Sequence, residues 1–356
     1  MLLAVAIISK EYYFNIDNIA VSNEKYLVGY AYSENIDRYL KYKTILTHDK
    51  YNIMAMGSSR VLQFRSEMFQ KRFYNAGYTI SLISDFAAFM KVIPKEKYPD
   101  YLIIGIDPWM FDENVNDLKT GRTPDYWTLN PTKNIKPKWE HLSNILTDIY
   151  KGKITFSNIQ TKHDFIPVGL NALINTDGIR NDGSRASGLK IPKLLNGDTS
   201  LTDYHFREIK NRINNEVWPL IHGDKINPKA VEILNDFLLF CKQNNIAVIS
   251  ILTPNADEIQ NDLSATGKYK YLEKINPTIE PLFAKYKFDY FYFPSVKYCD
   301  SDDSETLDGM HGGEKTYLKM LIKMLKSGSV LNNVCNLDQL NEDLAHAKNP
   351  YIVYAN

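Results

Sequence analysis

Two adjacent serines, Ser58 and Ser59, follow Gly57 at the end of the apolar run "YNIMAM". Far along the chain, Asp308 and His311 stand three residues apart in "LDGMHGG". A serine hydroxyl is a poor nucleophile until a base takes its proton, and an imidazole is the better base when an acid holds it in one tautomer. A spacing of three lets a carboxylate reach the imidazole. Together these residues are the parts of a nucleophilic relay for acyl transfer. Apart, the serines would cap a helix starting near Arg60, Asp308 would cap another, and His311 would lie on the surface.

The elements around them decide whether the parts can meet. "YNIMAM" reads as a short buried strand, and "RVLQFRSEMFQKRF" then carries apolar residues at helical spacing. "FYNAGY" is a second strand, "SLISDFAAFMKVI" a second helix and "YLIIGID" a third strand closed by Pro108. After residue 228 the alternation resumes. "PKAVEILNDFLLFCKQNN" is a helix, "IAVISILTP" a strand, "YKYLEKINPTIEPLFAKY" a helix kinked or broken by proline, "FDYFYF" a strand and "GGEKTYLKMLIKMLKSG" a final helix. Strands alternating with amphipathic helices predict an α/β protein, a parallel sheet with helices on both faces. In such sheets functional groups collect beyond the carboxyl ends of the strands, where both "GSSR" and "LDGMHGG" fall.

With 356 residues, 44% of them hydrophobic, the chain suits one elaborated domain or two modest ones. Its 42 basic and 42 acidic side chains cancel, which argues against a protein that grips nucleic acid through its phosphates. The first 48 residues read as a separate segment. "MLLAVAIISKEYYF" holds an apolar run of about nine residues, short of the roughly twenty a spanning helix needs. It also lacks the basic n-region and cleavage site of a complete signal peptide. It reads as a buried strand or helix end, or as the distal half of a membrane anchor. The polar "SNEKYLVGYAYSENIDRYLKYK" behind it, resembling a spacer, favours the anchor. Residues 49–330 form the main domain, interrupted at about 112–228 by a long insertion with helices near "KWEHLSNILTDIY" and "DYHFREIKNRINNEVW" and a Gly-rich piece, "NTDGIRNDGSRASG". The polar tail, 331–356, is expected to wrap the surface.

Gly57-Ser58-Ser59, Asn75-x-Gly77, Gly105-Ile106-Asp107 and Asp308-x-x-His311 fall in the order of the sequence blocks of the SGNH (GDSL-like) hydrolases. The chain resembles a divergent member near the envelope-associated branch that modifies acyl groups on bacterial surface polymers. The resemblance covers about residues 50–328 apart from the insertion, and the order of the blocks carries it rather than any one of them. It implies a flavodoxin-like three-layer α/β/α fold with a mostly helical insertion, and a serine esterase or O-acyltransferase that needs no cofactor. The implied substrate is an acylated glycan or small acyl ester outside the cytoplasm. Residue by residue, it makes Ser59 the nucleophile, His311 its base and Asp308 the orienting acid, with the backbone N–H groups of Ser59 and Gly77 in an oxyanion hole. Asp107 departs from the pattern, because it stands where Gly-x-Asn-Asp has its asparagine donor. An ionised carboxylate there would repel a developing oxyanion, so Asp107 is protonated or turned away, another donor serves, or the site is weakened.

Other readings stay open beside this one. The fold could be retained as a non-catalytic glycan-binding or assembly protein, with Asp107 marking a decayed oxyanion hole. A nucleotide-binding protein fits poorly, since no Gly-rich phosphate loop follows any predicted strand. Arg60 could bind an anionic substrate, although pairing with a nearby acid is the commoner fate of such an arginine. The acidic run "DSDDSE", residues 300–305, lacks the glycine and distal glutamate of an EF-hand loop and reads as solvated. His48, His141, His163, His205, His222 and His346 have no ligand spacing, and Cys241, Cys299 and Cys335 no paired pattern, so no metal and no disulfide framework is expected. Trp109, Trp127, Trp139 and Trp218 could stack on sugars, with core packing the default.

Overall fold

A computed structural model describes residues 11, 15–32, 36–114, 118, 122–131 and 139–354, with backbone alone for 139–142. The expected anchor, residues 1–14, therefore lies outside the described residues except for Glu11, and so do the side chains of Trp139 and His141. Among the described residues no helix is long and apolar enough to cross a membrane.

Nine strands run along the described chain: β1 Tyr26–Val28, β2 Ile53–Gly57, β3 Phe73–Gly77, β4 Tyr101–Ile106, β5 Ile166–Val168, β6 Asp177–Arg180, β7 Arg185–Ser187, β8 Ala247–Leu252 and β9 Asp289–Tyr292. The longer helices are α1 Ile36–Thr47, α2 Ile83–Val92, α3 Trp139–Tyr150, α4 Arg207–Asn214, α5 Pro228–Gln243, α6 Asp257–Ala265, α7 Tyr271–Tyr286, α8 Glu314–Lys326 and α9 Leu337–Ala345.

The main sheet has the order β3-β2-β4-β8-β9, with every neighbouring pair parallel. Alternate side chains of β2 serve opposite faces. Met54 and Met56 join Phe86 and Phe89 of α2, Phe237 of α5 and Ile275 and Ile279 of α7. Ile53 and Ala55 instead join Leu318, Leu321 and Leu325 of α8 and Leu340 of α9. Such continuously apolar strands are what a sheet covered on both faces requires.

The chain departs from expectation in four places. Residues 60–73 form no α-helix. Two 3-10 turns, Ser59–Val61 and Ser66–Met68, replace it. Helical bonding loses here to tertiary bonds: the Asn75 amide takes the carbonyls of Val61 and Phe64, at 2.7 and 3.0 Å, and Arg65 reaches Glu314 at 2.6 Å. The prolines of α7 do not break the element, which runs continuously past Pro277 and Pro281. Both lie on its exposed side, where water can take the freed carbonyls, while Ile275, Ile279 and Phe283 anchor the other.

The insertion, whose described regular structure is chiefly helical, also carries unexpected strands. β5, β6 and β7 lie within it and build a second sheet of order β5-β1-β6-β7. The fourth departure is β1 itself, which with α1 takes the place of the expected spacer, burying Tyr26, Leu27, Val28, Leu40 and Ile45. Its partners lie more than a hundred residues on, with Tyr26 opposite Ile166, so no local pattern announces them. The tail adds α9 and buries Val334, Leu340 and Val353 against α8.

The β6–β7 hairpin docks its tip on β3, the edge of the main sheet. The Asn75 N–H donates to the Asp182 carbonyl at 2.7 Å, and the Lys41 ammonium, fully buried, bonds the carbonyls of Asn75 and Gly183 at 3.0 and 2.6 Å. Covering an edge strand this way also removes a template for unwanted pairing. Gly183 makes the dock possible. Its φ is +79°, and a Cβ there would meet the Asn75 carbonyl oxygen at 2.1 Å. Gly183→Ala is therefore expected to cost about 2 kcal/mol or more, read as a lower urea midpoint, whereas alanine at the open Gly197 should cost less.

Candidate active site

β2 ends at Gly57 and the chain turns sharply into the 3-10 turn carrying Ser59. Three glycines permit the turn. Gly57 and Gly77 are register partners on β2 and β3, and Gly105 lies on neighbouring β4. A Cβ on any of them would meet the Val61 side chain at 2.8, 3.0 or 2.2 Å, so Val61 folds back into the space they leave. Ser58 caps the turn, its hydroxyl accepting from the Arg60 N–H at 3.2 Å. Ser59 is left facing outward.

His311 comes from the loop before α8. Asp308 accepts from the backbone N–H groups of Met310 and His311, at 3.0 and 2.9 Å, and Gly309 takes φ +88° to close the turn. The Leu307 N–H donates to the His311 carbonyl at 2.7 Å, closing the loop on itself. The imidazole Nδ1 lies 2.9 and 2.8 Å from the two Asp308 oxygens, and Nε2 lies 2.8 Å from the Ser59 hydroxyl. With Nδ1–H donated to the carboxylate, Nε2 is left to accept the serine proton. Burial opposes ionisation of Asp308, but the His311 charge, its hydrogen bonds and the charge of Lys190 hold the carboxyl well below the usual carboxylate range. Lys190 sits 3.8 Å from it and 2.7 Å from Asp203.

Behind the relay lies Arg60. Its guanidinium bonds the Met310 carbonyl at 3.1 Å, the Thr253 and Pro254 carbonyls at 3.0 and 2.5 Å, and the Asn255 amide oxygen at 2.9 Å. Its Nη1 is 3.6 Å from Asp107, and both side chains are buried, 1% and 0% exposed. Arg60 is thus no substrate-binding residue. It takes the other role, pairing with an acid.

A cavity of about 240 Å³ opens over Ser59 and His311, walled by Gln63, Tyr78, Asp177, Arg185 and Lys190 among others. Most of those walls come from the insertion and the turn after Ser59. Arg185 bridges Asp177, at 2.9 Å, and the Tyr78 hydroxyl, at 2.9 Å.

No family model, curated protein or solved structure matches this chain. The geometry alone therefore weighs each expected residue. Ser59, His311 and Asp308 come together in one hydrogen-bonded relay. Gly77 does not join them: its N–H is spent on the Asn75 amide oxygen at 2.9 Å. Asp107 is turned away, off the cavity wall, accepting from the Thr253 hydroxyl at 2.9 Å. Burial pushes its pKa up against the pull of the Arg60 charge. Asn75, expected only as part of a motif, is a clamp on the Ser59 turn. Gln63, Lys190, Arg185, Asp177 and Tyr78 had no signal in local pattern, since their placement depends on the second sheet and on an irregular turn.

The acidic run also finds a use. The Asp303 carboxylate accepts from the N–H groups of Asp257 and Glu258, at 2.5 and 3.1 Å, at the start of α6. Among the described residues no group of three or more His, Cys, Asp or Glu side chains is arranged to hold a metal ion. Cys241, Cys299 and Cys335 are free and buried. Trp109 and Trp127 are core residues, the latter donating to the Thr79 carbonyl at 2.8 Å, while Trp218 is exposed.

Two outcomes follow from these contacts. Arg60→Met should lose about 3–5 kcal/mol in urea unfolding, because Asp107 is left buried without its counter-charge. Adding Asp107→Leu should recover part of that loss, leaving the cost of the orphaned oxygens. Asp308, ionised to lower pH in the folded chain than in the unfolded one, contributes stability that is fully present above about pH 4 and declines as pH falls toward its folded value. Asp308→Asn should therefore flatten the stability curve below about pH 4 in acid titrations followed by circular dichroism.

Proposed function

We propose that the protein is a serine-dependent esterase or O-acyltransferase of the SGNH type, working through Ser59, His311 and Asp308. The observation that carries this reading is the continuous relay from Asp308 through His311 to a serine hydroxyl that opens on a cavity. His311 Nε2 takes the Ser59 proton as Oγ bonds to the ester carbonyl carbon. The same proton passes to the leaving alkoxide as the ester bond breaks. The acyl group then goes from Ser59 to water in a hydrolase, or to a sugar hydroxyl in a transferase.

The cavity supports a short acyl group, because about 240 Å³ leaves little room beside the reacting atoms. Its walls of Asp177, Arg185, Ser187, Lys190 and Tyr78 suit a hydroxyl-rich partner better than an alkyl chain. An acetylated glycan fits both features. Its assignment to a bacterial envelope polymer, outside the cytoplasm, rests on the family resemblance. One observation favours the non-catalytic alternative: Gly77 and Asp107, two expected contributors to the oxyanion hole, are not placed to serve it.

The purified protein should turn over p-nitrophenyl acetate and label with a fluorophosphonate. Ser59→Ala and His311→Ala should each lose turnover by about 10⁴-fold or to background. Ser58→Ala should keep it, losing only about 1 kcal/mol of stability with its cap. A wild type that neither turns over nor labels would remove the catalytic reading and leave the binding one.

A further inference from the structure

A tetrahedral intermediate needs donors aimed at its oxyanion, and the removal of one commonly costs a hundredfold or more in rate. Of the groups expected here, Gly77 has spent its N–H and Asp107 faces Arg60 and Thr253. The Ser59 N–H, at the first position of the 3-10 turn, has no acceptor among the described residues. One donor alone is a weak hole.

Gln63 lines the same cavity as Ser59, four residues further on. It is 8% exposed, and its carboxamide makes no hydrogen bond to any described residue. Neither carboxamide atom is sealed from solvent, so the amide keeps contact with the open space of the cavity and its N–H groups stay available to a ligand there. Its backbone is also held unusually firmly. The carbonyls of Val61 and Phe64 are clamped by Asn75, and the Leu62 carbonyl accepts from the Arg185 N–H at 3.1 Å. The backbone is thus fixed on either side of Gln63, and its carboxamide, committed to no other described group, belongs to the wall of the cavity on which Ser59 opens. The cations of the cavity are committed elsewhere, Lys190 to Asp203 and Arg185 to Asp177.

We propose that the Gln63 carboxamide N–H is the second oxyanion donor, acting with the Ser59 N–H in place of Gly77 and Asp107. The inference rests on the reading of Ser59 as nucleophile. As the Ser59 Oγ–carbon bond forms, the carbonyl pair moves onto oxygen and the serine proton moves to His311 Nε2. Gln63 donates a hydrogen bond to that oxygen and transfers no proton.

The test compares Gln63→Glu, which keeps the shape but presents an ionised acceptor, and Gln63→Leu with wild type on p-nitrophenyl acetate. The expected result is a fall in kcat of about 10²–10³-fold with KM within about threefold, and fluorophosphonate labelling slowed in parallel. The urea midpoint should hold in Gln63→Leu, since the side chain has no hydrogen bond to lose, whereas Gln63→Glu, which puts a charge at a site 8% exposed, should lower it while the protein stays folded under assay conditions. If both variants keep kcat within about threefold, or only KM rises, Gln63 is not the oxyanion donor. An active wild type with unaffected variants overturns this inference alone. A wild type inert to both reagents overturns the esterase reading and the inference with it.

Discussion

The guanidinium of Arg60 lies where the carboxyl ends of β2, β4 and β8 meet the loop that carries His311, and much of the site's geometry depends on it. The residue directly follows Ser59, and it bonds the carbonyl of Met310, which directly precedes His311. The spacing of Ser59 and His311 is thereby set through one buried side chain. The arrangement is expensive in desolvation, and the partial return comes from Asp107 and four oxygen acceptors. A lysine could not replace it, since one ammonium has neither the reach nor the planar fork to serve four acceptors. Asp107, which looked like a damaged catalytic position, is better understood as the counter-charge that lets Arg60 stay.

The glycines tell a similar story. Gly57, Gly77 and Gly105 sit together at the strand ends and leave a hollow that Val61 fills. That insertion lets the chain reverse within four residues of the sheet, while Asn75 secures the carbonyls on either side of Gln63. What reads along the chain as a string of separate blocks is, in space, one packing solution around one valine.

The parallel core was largely legible because its strands are short, apolar and bounded by Gly or Pro, and its helices are amphipathic with buried stripes. The Ser59, Asp308 and His311 triple was legible because chemistry restricts the residue types. Other parts escaped for identifiable reasons. The pattern of residues 60–73 is helical in period, yet the buried Val61, Phe64, Met68 and Phe69 serve an irregular path fixed by Asn75 and Arg65. The second sheet depends on pairing between segments far apart, which periodicity cannot register. The role of Arg60 depends on acceptors in three other elements, and no spacing rule reports those.

The second sheet has a temporal consequence. β1 is not at its margin but between β5 and β6, so both of its edges are satisfied only by chain that is made much later. During synthesis Tyr26, Leu27 and Val28 leave the ribosome with neither partner in existence, and they stay unpaired until residue 168 and then residue 180 have followed. β2, β3 and β4, by contrast, are neighbours in both sequence and sheet and can associate in the meantime. β2, β3 and β4 thus have the opportunity to associate first, the second sheet can close around β1 once residue 187 is made, and β8, β9 and the His311 loop complete the main sheet and the cavity last.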